Sequence, residues 1–380
     1  MKPSRIIAVH LLNDRSGSPF VLRQSLEVLA AAGYRVELFT ATPSGDGFLS
    51  HIPGVKEHRI FYRWSTSKWF TLMMFCYSQF LLFMKVLWHI NKKDIVYINS
   101  LLPFGAALAA KLRGCKVLYH IHEVSIKPAL LKQFLLGVAN LTAARGIFVS
   151  DDLRKRTAFR PAASVVYNSL PASFIQEAFQ HRRSASAGFT VLMLCSLKKY
   201  KGVWEFVECA RRLPGLSFRL VLNASSQSIT EFFKGQPLPA NLELQSATKN
   251  VHSCYRQASV VMNLSKPDEW VETFGMTILE AMYYQKPVIV PTVGGVIELV
   301  EDGEQGYRIN STDVDAIGEK LQLLYADEDL YTKLSVQAYQ KAQQFTPVQF
   351  RHQLLQQLKL MSVKNDGKEG GEKLVQLTLF

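Results

Sequence analysis

Short runs rich in β-branched and apolar residues alternate with longer amphipathic stretches through the first 150 residues, and the alternation starts afresh after residue 190. In the first half, Arg5–Leu11, Arg35–Ala41, Glu57–Phe61, Ile95–Asn99, Lys116–His120 and Gly146–Ser150 read as strands. Helical patterns at Phe20–Ala32, Phe104–Arg113 and Ala129–Ala144 lie between them. Strands that reach their neighbours through helices form parallel sheets covered on both faces, so an αβα layer is expected. A second unit follows, with strands at Thr190–Cys195, Ser217–Leu222, Leu242–Gln245, Val260–Leu264 and Pro287–Val290, and helices at Val203–Leu213 and Met276–Tyr284.

Between the units, Pro171 and the polar stretch Gln176–Gly188 read as a linker. The expected organisation is an N-terminal lobe over 1–170, a linker over 171–188 and a C-terminal lobe over 189–346. A last helix near 348–361 packs back on the first lobe, and 362–380, Gly-rich and polar, reads as a flexible tail. A chain of 380 residues is long for one hydrophobic core and ample for two. Open α/β sheets bind ligands beyond the carboxyl ends of their strands, which places the expected cleft between the lobes.

The net charge of +13 is unevenly spread: residues 1–190 hold 24 Lys/Arg against 10 Asp/Glu, residues 191–380 hold 20 against 21. A basic half attracts nucleic acid or anionic lipid headgroups. No helix-turn-helix, RRM or zinc-finger pattern supports nucleic acid, so none is expected as a partner. The five cysteines, at 76, 115, 195, 209 and 254, show neither disulfide nor metal spacing and suit a reducing cytoplasm. Ile6 to Leu12 is too short for a signal-peptide core.

Trp69–Met84 carries no charge, and Trp69 and Trp88 are of the kind that favours membrane interfaces. A spanning helix is not expected, because the strands on either side could not then share a sheet. Two readings stay open: a buried crossover helix, or a helix lying in the bilayer surface.

The strongest chemical signal is Glu272-Thr-Phe-Gly-Met-Thr-Ile-Leu-Glu280. Gly275 precedes a helical run, so the amides of Phe274, Gly275, Met276 and Thr277 can face an anion from a helix start. Glu280 could accept hydrogen bonds from a ribose diol, and Glu272 could reach sugar hydroxyls. The segment resembles the retaining glycosyltransferases of family 4, also called group 1, whose second lobe carries a Glu-x7-Glu motif of this form. Gly294-Gly295, Glu298-Leu299-Val300 and Asp302-Gly303-Glu304-Gln305-Gly306-Tyr307 resemble that family's following segment. The resemblance implies a GT-B fold: two Rossmann-like αβα lobes with parallel sheets facing a central cleft. It also implies that Glu272 contacts the donor sugar and Glu280 the ribose.

Lys201-Gly202 resembles the family's Lys-Gly that grips the donor diphosphate, a cation doing what a metal does elsewhere. Five residues earlier the family commonly has Arg; here it is Ser196, leaving Lys198 or Lys199 to supply a second cation. Ser16-Gly17-Ser18-Pro19 resembles the family's Gly-rich loop under the acceptor and donor phosphates. Its local reading is a turn with Ser18 as helix N-cap and Pro19 at the first helical position. Asn13 ends the first strand and could face the cleft. His120, His122 and Glu123 end another strand; His122 best matches a family His that hydrogen-bonds donor or acceptor. Asn168 matches an Asn at the family's lobe junction.

The resemblance implies a transferase taking a sugar from a UDP- or GDP-sugar without a metal or other cofactor. Retention follows from front-face attack, in which the leaving phosphate takes the acceptor's proton. The expected acceptor is a saccharide or lipid-linked saccharide of surface polysaccharide or lipopolysaccharide synthesis. The expected place is the cytoplasm, with peripheral association at an anionic inner membrane face. A non-catalytic scaffold of the same fold and a sugar epimerase are the alternatives.

Overall fold

A computed structural model describes residues 5–42, 45–62, 67–123, 125–181, 188–247 and 250–362. The expected flexible tail over 362–380 lies, from 363 on, outside the described residues.

The first lobe holds β1 (Arg5–Leu12), β2 (Arg35–Ala41), β3 (Val55–Arg59), β4 (Ile95–Asn99), β5 (Lys116–Ile121), β6 (Arg145–Phe148) and β7 (Ala163–Val165). Its helices are α1 (Gly17–Ala31), α2 (Lys68–His89), α3 (Phe104–Leu112), α4 (Ala129–Thr142), α5 (Asp151–Arg156) and α6 (Ala172–His181). All seven strands are parallel, in the order β3-β2-β1-β4-β5-β6-β7. Every residue of β4 is buried, as a central strand covered on both faces requires.

Alternate residues of these strands serve two cores. Ile7, Val9, Val96 and Ile98 face α2, α3 and α4. Ile6, Ala8, Ile95 and Tyr97 face α1 and the last helix, α13 (Pro347–Ser362), through Leu22, Leu26, Phe350, Leu354 and Leu358. The C-terminal helix therefore completes the first lobe; Arg145 donates to Gln357 at 2.7 Å across the same contact.

The second lobe contains β8 (Thr190–Ser196), β9 (Ser217–Asn223), β10 (Leu242–Ser246), β11 (Val260–Met262), β12 (Val288–Val290) and β13 (Gly306–Arg308). Between them lie α7 (Val203–Arg212), α8 (Ser226–Phe233), α9 (Val251–Gln257) and α10 (Met276–Tyr283), with α11 (Val314–Ala326) and α12 (Glu328–Ala342) following. The parallel order is β10-β9-β8-β11-β12-β13. The predicted two-lobed α/β fold holds.

The segment read as a linker is partly structured. Ala172–His181 forms α6, and its Phe174 ring lies 4.5 Å from His252 and 6.3 Å from Tyr255. Burying Phe174 on the second lobe orders a stretch whose polar residues signal a loop; 182–187 lie outside the described residues.

The helix α2 is long and apolar enough to cross a bilayer. It instead crosses over between β3 and β4 within one sheet. Its C-terminal His89 is tied to the sheet by Glu37 of β2, whose Oε2 meets His89 Nε2 at 2.7 Å and His58 Nε2 at 2.8 Å. Arg35 and Arg5 reach the other oxygen at 3.0 and 3.3 Å. Burial opposes the Glu37 charge, but the hydrogen bonds from His58 and His89 prevail and hold its carboxyl at about 2.

Candidate active site

Each sheet reverses its strand order once, between β1 and β4 in the first lobe and between β8 and β11 in the second. At such a point two neighbouring loops leave in opposite directions and open a crevice. Both crevices hold polar clusters.

In the second lobe, β8 runs into a 3-10 turn over Lys199–Lys201, and Gly202 opens α7. Gly202 has φ +77°, and a Cβ there would stand 2.3 Å from Leu264 O, so the turn admits only glycine. The tight turn directs Lys201 across the crevice, where its Nζ lies 2.8 Å from Glu272 Oε2 and 3.3 Å from Ser265 Oγ. Asn263 Nδ2, just beyond β11, also donates to Glu272 Oε2, at 3.3 Å. Burial opposes the Glu272 charge, yet Lys201, Asn263 and Ser265 together keep its carboxyl below the usual range. Trp270, stacked on Tyr200 with centroids 5.4 Å apart, walls this pair, with Lys201 Nζ 5.5 Å from its ring.

Gly275 has φ +94° and caps α10; a Cβ would meet Val296 Cγ2 at 2.7 Å. The amides of Met276 and Thr277 in the first turn have no intrahelical carbonyl partner and carry the positive end of the helix dipole. Glu280, one turn on, is bonded by the Tyr255 hydroxyl. Burial raises its carboxyl to about 7.

The first-lobe cluster has a different character. Asn99 ends β4; its Oδ1 lies 2.8 Å from His122 Nε2, and its Nδ2 reaches Ser18 O at 3.3 Å and His10 Nδ1 at 3.1 Å. The rings of His120 and His122 lie 4.2 Å apart. Burial holds His10 and His122 below the ordinary range and His120 at about 3, which favours the neutral imidazole in each. Burial raises Glu123 to about 7. This crevice offers hydrogen-bonding groups suited to sugar hydroxyls, while the crevice across the cleft carries the Lys201 ammonium, paired with Glu272.

Several site expectations are corrected by packing. Asn13 does not face the cleft: its Nδ2 donates to Ser50 Oγ at 2.8 Å and its Oδ1 accepts from Leu49 N at 2.8 Å, holding the 47–50 turn. The cap of α1 is Ser16, not Ser18; the helix starts at Gly17, and the Asp14 carboxylate takes the Ser16 amide at 2.9 Å. His120 is fully buried beneath His122, with Nδ1 2.6 Å from the Tyr97 hydroxyl. Phe274 is buried beside Tyr167 and Phe345, so only its backbone is available to a ligand. Ser196 ends β8 half-buried, and Lys198 and Lys199 are exposed at the crevice mouth. Asn168 is buried at the junction with its Oδ1 unpartnered.

Sequence reasoning missed His10, Asn99, Tyr255, Asn263, Ser265 and Trp270. A polar residue within an otherwise apolar strand, near its end for His10 and at its last position for Asn99, was the available signal. No motif marks the others.

The lobes meet through Glu298, whose carboxylate accepts from Asp151 N at 3.1 Å, Asp152 N at 2.8 Å and the Tyr167 hydroxyl at 2.8 Å. Beside it a groove of about 550 Å³, lined by Tyr167, Glu298, Lys341, Phe345 and His352, contains none of the expected site residues.

Glu37, His58 and His89 are close enough to hold a metal ion. Two guanidinium groups already occupy that carboxylate. Two Asp-x-Asp sequences occur, at 313–315 and 327–329, and in each the first Asp caps a helix, α11 or α12.

Two parallel-sheet lobes with crevices at both switch points define a GT-B glycosyltransferase architecture. Residues 16–172 match Glycosyltransferase Family 4 and residues 174–341 match Glycosyl transferases group 1; the chain belongs to this family. Anabaena HepE, solved with UDP and glucose, superposes with a TM-score of 0.75 at 18% identity over 94% of this chain and 99% of that one. Sucrose-phosphate synthase from Thermosynechococcus elongatus gives the same values. N-acetyl-alpha-D-glucosaminyl L-malate synthase of Bacillus anthracis is 29% identical over 152 residues, 39% of each chain. The Staphylococcus aureus capsular polysaccharide glycosyltransferase CapM is 41% identical over 59 residues, 16% of each. The matches span only part of the curated relatives, down to 6% of the Acidithiobacillus caldus sucrose synthase.

Proposed function

We propose that this chain is a retaining, metal-independent glycosyltransferase that moves a sugar from a UDP- or GDP-sugar to a saccharide or lipid-linked saccharide. The observation that carries this reading is the convergence of Lys201, Glu272 and the start of α10 on one switch-point crevice. The diphosphate lies between Lys201 Nζ and the amides of Met276 and Thr277, which stabilise the charge that builds as the sugar leaves. Glu280 accepts from the ribose, and Glu272 turns from Lys201 to the sugar hydroxyls. The acceptor oxygen bonds to the anomeric carbon as that carbon's bond to the β-phosphate oxygen breaks. The departing phosphate oxygen takes the acceptor's proton on the same face. His122, neutral and fixed by Asn99, orients a hydroxyl beside the reacting carbon.

The name of CapM supports a place in surface polysaccharide or lipopolysaccharide synthesis, and HepE with UDP favours a uridine donor. The basic first half suits work on the cytoplasmic face of the membrane, where a lipid-borne acceptor is held.

The test is a melting-temperature panel with UDP, GDP, ADP and CMP, each with and without EDTA. A ligand at a hundred times its Kd adds about 2.7 kcal/mol, a visible shift. A rise with one nucleoside diphosphate, unchanged by EDTA, is expected. A rise that EDTA abolishes rules out metal independence, and no rise at all turns the reading to a non-catalytic scaffold.

A further inference from the structure

The solvent side of α2 is largely apolar, where an ordinary surface helix is polar, although Phe75, Leu82 and Val86 already supply its inward contacts. Trp69, Met73, Tyr77, Phe80, Met84 and Trp88 follow helical spacing along one exposed stripe, with Trp69 83% and Trp88 76% exposed. Ser78 and Gln79, by contrast, are buried, and Gln79 Oε1 accepts from Gly105 N at 3.0 Å where α2 meets α3. The apolar surface continues onto α4 through Leu130, Phe134 and Leu141, all exposed. Phe104 of α3 joins the two helices, with ring centroids 5.8 Å from Phe75 and 5.1 Å from Phe134. Contiguous exposed apolar surface on this scale marks an interaction site.

The charge around it selects the partner. Residues 58–150 contain twelve Lys/Arg and two Asp/Glu, and both acids, Asp94 and Glu123, are drawn inward: Asp94 is paired with Arg5 at 2.6 Å, and Glu123 lies in the crevice. Lys85, Lys92, Lys93, Lys111 and Arg113 are all exposed and lie within a few residues of the exposed Trp88 or Leu112 in the chain. A second copy docked on this face would set one basic rim against another, whereas an anionic bilayer complements both the rim and the apolar stripe.

We infer that the exposed faces of α2 and α4 form a docking surface for an anionic lipid bilayer, with α2 lying parallel to the membrane. This rests on the reading of a membrane-borne acceptor and assigns it a surface. Both helices begin at the carboxyl edge of the sheet, and α4 follows the loop that leaves His122 and Glu123. A bilayer on this face therefore borders the neutral crevice proposed to receive the acceptor.

The experiment is co-sedimentation of the full chain with phosphatidylcholine vesicles and with vesicles containing phosphatidylglycerol. Expected is binding to the anionic vesicles at least tenfold stronger than to the neutral ones. A Trp69→Ser/Phe80→Ser/Trp88→Ser variant and a Lys92→Glu/Lys93→Glu/Lys111→Glu variant should each lose tenfold or more. Both should keep the wild-type melting temperature and nucleotide response. Equal or absent binding to the two vesicle types overturns the inference. So does a wild-type dimer in solution that the tryptophan and phenylalanine substitutions dissociate, because a second copy then covers the face. Vesicle binding without any nucleotide response leaves this surface standing and sinks the transferase reading instead.

Discussion

Lys201 Nζ lies 2.8 Å from Glu272 Oε2, closing an ion pair between residues 71 apart in the chain. Each side chain is less than a fifth exposed, and each comes from a loop at the β8/β11 reversal. The lysine pairs with the carboxylate that is proposed to hold the sugar. A bound diphosphate competes for the same cation and releases Glu272 to accept from sugar hydroxyls.

Replacing Lys201→Met should weaken binding of the nucleoside diphosphate by about 10- to 100-fold, the worth of a charge-assisted hydrogen bond. Glu272→Gln should not weaken that affinity, because it removes the group that competes with the diphosphate for Lys201 and spares the phosphate contacts. In a double-mutant cycle read by melting temperature the two changes should be non-additive, since each removes the partner of the other. Calorimetry showing unchanged affinity for Lys201→Met would remove the lysine from the diphosphate site.

The Glu280 carboxyl, raised to about 7 by burial, carries a pH prediction. A carboxyl raised in the folded state stabilises the fold below its unfolded value near 4.3, and that contribution is lost as pH rises through about 7. A ribose diol donating to Glu280 favours the ionised form. Affinity for a uridine or guanosine nucleotide should therefore rise about fivefold or more between pH 6 and pH 8 beyond the change seen with Glu280→Gln. If the wild type and the glutamine variant respond to pH alike, Glu280 does not bind the ribose.

Glu298 caps the start of α5 in the opposite lobe, a short helix otherwise led by Asp151 and Asp152. Glu298→Ala leaves two amides and the Tyr167 hydroxyl without their acceptor. A loss of about 1–3 kcal/mol is expected, measured by denaturant unfolding. Glu298→Gln should recover part of it, since the amide oxygen accepts but lacks the charge.

Glu37 makes the complementary case at low pH. Its carboxyl is held at about 2, so the stability it supplies is fully present above the unfolded value and is lost as pH falls toward 2. Glu37→Gln should cost about 3 kcal/mol at pH 7, because it leaves the half-buried Arg5 and the two histidines without their charged acceptor. The difference between variant and wild type should shrink in acid. A difference that stays constant down to pH 3 would show that Glu37 acts by packing alone.

Strand and helix order was legible because the burial of a parallel sheet on both faces writes itself into the chain as apolar runs separated by helices. Helix α6 was not: its ordering comes from Phe174 packing among His252, Tyr255 and Tyr284, contacts that join distant segments. Asn13 has the composition of a cleft residue and the position of one, yet the 47–50 turn claims both ends of its side chain.

The sequence by itself determined the two αβα lobes, the glycine-led start of α10 and the spacing that pairs Glu272 with Glu280, because these depend on local periodicity and on neighbours within a few turns. The charge bias of the first half was equally plain from composition. Only the tertiary structure decided which partner each group has: Lys201 for Glu272, Tyr255 for Glu280, Asn99 for His122 and the α5 amides for Glu298. It also decided that α2 turns its tryptophans outward and its Ser78 and Gln79 inward. The physical reason is the same in each case. A crossover connection brings together residues dozens of positions apart, and their burial, protonation and exposed faces are set by what they meet there.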